Sequence, residues 1–227
     1  MREAFLDADI FWDQFPDIVT RAARNTLIFT ALAFAIGFGL ALVLAMMRLS
    51  PLRPYRWFAS VWIEVFRGLP ALITIIAIGF AMPIALDFRV PGIYGPGSVA
   101  LGIVYSAYMA ETIRAGVEAV PRAQVEAARS LGMTAFRSMV SIVLPQAFRI
   151  IIPPLTNELV ALIKDTSLLY VLGTTAATIE ITQYSRKAML DTFNITPLVA
   201  AAVVYLAITI PMTRAVGLLE RRNRRAR

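Results

Sequence analysis

EAARSLGMTAFRSMVSIVLPQ, residues 126–146, is a polar, helix-forming insert in a chain otherwise composed for lipid. Val120-Pro121 ahead of it suits a helix start, because proline lacks only an N–H that the first turn leaves unpaired anyway. Gly132 stands where a left-handed helix end is easiest. The spacing therefore predicts one short helix over 121–131 and a second over 134–143, the latter closed by Leu144-Pro145. On the first helix Arg122, Glu126 and Arg129 share a face, so Glu126 can pair with either arginine. Val125, Ala128 and Leu131 make a narrow small-residue face. Such an insert suits a docking surface for a partner, or an amphipathic helix lying on a membrane.

Composition sets the class around it. The 227 residues are 58% hydrophobic and 16% charged, and the mean hydropathy is +0.68. That is too apolar for a soluble domain and reads as a multi-spanning membrane protein, whose long apolar stretches make the expected fold all-α. Cysteine and histidine are both absent, which excludes disulfides, thiolate nucleophiles, Cys/His metal sites and histidine-based triads. The net charge of +7 does not indicate nucleic acid, because the basic residues cluster where apolar segments end, as topology signals do. Asp7, Asp9, Asp13 and Asp17 interrupt the N-terminus, and no secretory signal is expected there.

Five apolar stretches near or above the length needed to cross a bilayer are expected as spans: 25–47, 57–86, 98–117, 154–173 and 197–219. Residues 1–24 mix aromatics with acids and should lie along the interface. Gly37 and Gly39 in the first span are both small enough for close helix contact. The second span is interrupted at Arg67-Gly68-Leu69-Pro70. Residues 118–150 form a loop, 174–196 a polar connector with room for an amphipathic helix, and 220–227 a basic tail. With five spans the two termini lie on opposite sides. The side carrying the 118–150 loop holds three basic residues in 48–56, five in 114–149 and six in 214–227; the other holds Arg2, Arg21, Arg24, Arg89, Arg186 and Lys187. The positive-inside rule puts the loop and C-terminus in the cytoplasm and the N-terminus outside, with Arg21 and Arg24 reaching to head groups.

Charges inside the spans are costly and face a bundle interior or a wet cavity. Glu64 and Arg67 lie one turn apart and can pair, and Glu111 and Arg114 repeat that spacing. Lys164 lies about ten residues past Pro154, roughly 15 Å along a helix, near the membrane centre, followed by Asp165, Thr166 and Ser167. These groups can hold helices together or line a solute path. Asn157, Glu158, Lys164, Asp165 and Ser167 on the fourth span and Tyr105 and Tyr108 on the third are the path candidates, since a zwitterion needs both an anionic and a cationic partner.

The spacing Glu126-Ala127-Ala128, Gly132, Ile142, Leu144-Pro145 resembles the EAA loop of ABC importer permeases, agreeing at seven positions at fixed distances. Glu64 to Pro70, Glu111 to Arg114, Asn157 and Lys164 to Leu168 resemble the polar amino acid branch of that family, which serves histidine, glutamine, glutamate, arginine and opines. The likeness runs from about residue 20 to 220; Leu69 departs from it, standing where the branch more often has Thr or Ser. The resemblance implies a type I importer permease with five spans in a bacterial plasma membrane. It also implies coupling helices that dock two cytoplasmic ATPase subunits, a second permease subunit that is identical or homologous, and an extracytoplasmic solute-binding protein. ATP and magnesium would belong to the partner ATPase. Gly-x-x-x-x-Gly-Lys-Ser/Thr is absent, and Lys164 and Lys187 are followed by Asp165 and Ala188, so this chain should bind no nucleotide and catalyse nothing. An importer of another small solute and a secondary transporter are the alternative readings.

Overall fold

The computed structural model describes the backbone of residues 6–173 and 175–225 and the side chains of those residues through Leu218. Arg2 and Phe5 of the expected interfacial lead, Thr174 at the start of the connector, and the side chains of the basic tail lie outside the described residues. Those described are helical with no strand: α1 (Ala8–Leu49), α2 (Arg53–Gly68), α3 (Ala71–Leu86), α4 (Gly95–Glu118), α5 (Arg122–Ser130), α6 (Ala135–Leu172), α7 (Ile181–Thr192) and α8 (Thr196–Arg225).

Asp7 caps α1, its carboxylate accepting from the backbone N–H of Asp9 at 2.9 Å and Ile10 at 3.2 Å, where a negative charge also suits the helix dipole. The helix then runs on for 42 residues, so the expected interfacial segment and the first span are one continuous helix. α6 is the larger difference from expectation. Leu144-Pro145 does not close a helix and Pro153-Pro154 does not open one; α6 passes through all three prolines for 38 residues. A wide π-type turn over Met139–Val143 ends immediately before the Leu144–Asp165 stretch that has Pro145 in its first turn. Widening the turn relieves the clash between the ring and the preceding carbonyl. Ala77–Ala81 does the same ahead of Pro83.

The expected second span is a bent pair: α2 and α3 meet at 105°, because Pro70 cannot continue α2 and forces an extended residue before it. By length and apolarity α1, α6 and residues 196–218 of α8 can each cross a membrane, with the α2–α3 pair as a fourth candidate.

α4 lies at the centre. It packs along α1 and also meets α2, α3 and α6. That central position explains its composition, since a helix surrounded by helices needs small residues more than greasy ones. Ala100, Leu101, Ala107, Met109 and Ala110 are fully buried on it. Where α1 crosses α4 the contact is backbone to backbone: a Cβ on Gly37 would lie 2.9 Å from the Gly102 carbonyl oxygen. Gly39 makes no such contact, with no atom within 4 Å of its Cβ position, so only one of the two glycines expected at a crossing is there. A second core joins Ile18 and Ala22 of α1 to Ala200, Ala201 and Val204 of α8 and to Ile181 of α7. A third, of Val120, Val143 and Ala147, fixes the base of the α5–α6 corner. Large apolar side chains such as Leu40, Val43 and Met46 remain exposed, as lipid-facing positions must.

Candidate functional site

Two regions carry the polar chemistry. The first is the α5–α6 corner. Gly132 ends α5 with φ +83°; the Met133 N–H donates to the Ala128 carbonyl at 3.1 Å and the Gly132 N–H to that of Arg129 at 3.0 Å. This paired closure is the one a left-handed glycine permits. Thr134 then caps α6 by accepting from the Arg137 N–H at 3.2 Å. Of the expected small-residue face, Ala128 is buried and Val125 packs on the third core, but Leu131 is 86% exposed, as is Phe136 at 78%. Glu126 pairs with neither arginine. Arg129 instead donates to the Met133 carbonyl at 3.1 Å, since the carbonyls at a helix end attract a cation, and Glu126 and Ala127 stay exposed. Ile142 is half-buried, its carbonyl held by Gln146 Nε2 at 3.0 Å, while Leu144 and Pro145 face outward. The corner is a hydrogen-bonded, glycine-closed turn that presents apolar side chains to solvent.

The second region lies between α4 and α6. Tyr105 donates to Asp165 at 2.9 Å, and Thr112 donates to Glu158 at 2.5 Å. Tyr105 and Thr112 are seven residues apart, as are Glu158 and Asp165, so each pair stands two turns apart on one face of its helix, roughly 10.5 Å. The result is two hydroxyl–carboxylate rungs between α4 and α6. Glu158 Oε2 is buried and has no hydrogen-bond partner, a costly state for a carboxylate oxygen.

Among the other sequence candidates, Thr166 is buried and its hydroxyl returns to the Ile163 carbonyl at 2.6 Å. Ser167 is half-buried, and Asn157 and Lys164 are exposed on the neighbouring stripe of α6. The expected Glu64–Arg67 pair is not formed. Arg67 instead lies over the Tyr108 ring, 5.7 Å from its centroid, because two exposed ends of one helix gain little from pairing while an aromatic face from α4 is within reach. Glu111 and Arg114 do pair, at 2.5 Å, and Glu118 adds a second carboxylate to the same guanidinium. Thr112 was not a sequence candidate; its seven-residue distance from Tyr105, matching that of Glu158 from Asp165, is the signal that could have found it.

Residues 19–225 match the model of the family described as binding-protein-dependent transport system inner membrane component. The chain belongs to this family. The permease is 34% identical over 219 residues to a probable glutamine ABC transporter permease of Bacillus subtilis strain 168, covering 96% of this chain and 98% of that one. It is 35% identical over 210 residues to a glutamate/aspartate import permease of Escherichia coli O6:H1, covering 87% and 90%. Its fold matches a crystal structure of an amino acid ABC transporter with histidines at TM-score 0.87 and 33% identity, over 96% of this chain and 99% of that one. Membership makes the permease a multi-pass inner-membrane subunit of an ABC importer, with ATP hydrolysis on separate subunits. The secondary-transporter reading is thereby set aside.

Proposed function

We propose that the permease passes a polar amino acid, delivered by a solute-binding protein, between itself and a second permease subunit. Two ATPase subunits that hold the ATP and magnesium drive it from the cytoplasm. In this reading five segments cross the membrane, with α4 as the third, the N-terminus outside and the C-terminus inside. Residues 126–145 seat in the ATPase, with Leu131 and Phe136 as the apolar contacts and Gly132 as the turn between the two helices. The relatives' amino acid substrates support the solute class, and the positive-inside count supports the orientation.

The observation that carries the solute path is the buried, unpartnered Glu158 Oε2, two turns along the same face of α6 from a second carboxylate, Asp165, with a hydroxyl on each and no ion pair on either among the described residues. A membrane-embedded carboxylate of this kind is an acceptor for an ammonium group. Lys164, one residue round the helix, is the complementary cation for a carboxylate. The test is ATPase stimulation of the reconstituted complex across a panel of amino acids. One chemical class should stimulate, and Glu158→Gln should raise its half-saturating concentration by roughly ten- to a hundredfold, the loss of a charged hydrogen bond of about 1.5–3 kcal/mol. Stimulation with unchanged affinity in Glu158→Gln, Lys164→Ala and Asp165→Ala would make the rungs structural pins. No stimulation by any amino acid would overturn the solute class.

A further inference from the structure

Glu180 belongs to neither region, yet it is the only charged side chain among the described residues with no exposure at all. It caps α7, accepting from the N–H groups of Thr182 and Gln183, both at 2.6 Å, and from the Tyr205 hydroxyl of α8 at 3.3 Å. The end of α6, Thr166–Leu172, which follows Asp165 of the Tyr105–Asp165 rung, packs against α7. One carboxyl therefore ties α8 to α7, which lies against the end of the proposed solute path.

No cation among the described residues pairs with it. Arg21 of α1 is turned to the Ala176 carbonyl at 2.7 Å, Asp17 of α1 accepts from Tyr184 at 3.1 Å, Arg186 lies over the Tyr170 ring at 5.0 Å, and Lys187 and Asp191 are exposed on α7. Among the described residues none of these pairs with Glu180. A cavity of about 520 Å³ lined by Arg21, Tyr170, Gln183, Arg186 and Lys187 opens beside α7 and brings water close.

We propose that Glu180 is a positioning residue that clamps α7 against α8 and the end of α6, and that the clamp closes when its carboxyl takes up a proton from the extracytoplasmic medium. The sidedness rests on the orientation proposed above. Burial raises the carboxyl to about 7 against the pull of its N–H and hydroxyl donors, whereas in water it would sit near the ordinary value of about 4.3. The closed clamp thus binds the proton more tightly than the open one. Closure is favoured below about pH 7 and is lost as pH rises through that value. Tyr205 suits either state, since its hydroxyl donates to the carboxylate and accepts from the protonated acid, with Thr182 Oγ1 at 3.2 Å as its other partner.

The chain has no cysteine, so Leu190→Cys on the exposed side of α7 places one nitroxide. In vesicles holding the full complex, the mobile fraction of its spectrum should rise several-fold between about pH 6 and pH 8.5. With Glu180→Gln it should stay immobile at both. Amide exchange at Thr182 and Gln183, corrected for its intrinsic pH dependence, gives the same answer without a substitution at Glu180: protection should fall as pH rises through 7. The same pH response in Glu180→Gln, or flat amide protection, would overturn the clamp. A response only to pH on the loop side would overturn the orientation and leave the clamp standing. ATP-driven uptake in the same vesicles reports separately on the importer reading.

Discussion

Gly132→Val leaves the complex assembled and hydrolysing ATP while transport per ATP collapses. Gly132 has φ +83° and no atom within 4 Å of its Cβ position, so the substitution meets no clash and acts through the backbone alone. A β-branched residue held in the left-handed region costs of order 1–2 kcal/mol or more. Relieving that strain means giving up the two hydrogen bonds that close α5, from Met133 to Ala128 and from Gly132 to Arg129. α5 would then no longer hold its angle to α6, and Leu131 and Phe136 would not present together. Gly132→Asn should be milder, because Asn tolerates this conformation. The measurement is uptake and ATPase rate on the same vesicles. Normal coupling in Gly132→Val would show that the turn does not transmit motion.

Gly37→Ala and Gly39→Ala should differ sharply although they lie one turn-half apart in one helix. The added methyl at Gly37 meets the Gly102 backbone oxygen at 2.9 Å, and backbone cannot rotate away. α1 and α4 must separate, and overpacking of this kind costs about 1–3 kcal/mol. At Gly39 the methyl meets nothing within 4 Å, and replacing a helical glycine by alanine is worth up to about 1 kcal/mol of stabilisation. Thermal unfolding in detergent should place Gly37→Ala below the parent and Gly39→Ala at or above it. Equal effects would contradict the crossing described for α1 and α4.

What was legible in the sequence is local. The left-handed Gly132, the break at Leu69-Pro70 and the Glu111–Arg114 pair each depend on residues within one turn of each other, and all three stand in the structure. The misreadings arise where distant packing overrides a local rule. Pro145, Pro153 and Pro154 look like helix boundaries because an interior proline removes a hydrogen bond, yet α6 continues through them on a widened turn and on packing from α4 and α8. Glu64 and Arg67 have pairing distance, but Tyr108 from another helix takes the arginine. Glu126 has two arginines in reach and pairs with neither. Gly37 and Gly39 are the same residue, and only the neighbour at Gly102 separates them. Glu180 was invisible because its connector reads as polar; its carboxyl is fully buried only where α7 lies against α8 and the Tyr205 hydroxyl reaches it.

The most direct measurement is uptake of a labelled amino acid into sealed vesicles holding this permease with its ATPase and binding protein. Nucleotide is supplied separately on each side. Accumulation against a gradient should require the ATPase chain, the binding protein, and ATP on the side where residues 121–145 emerge. Accumulation without the ATPase chain, or driven by ATP on the opposite side, would contradict the account.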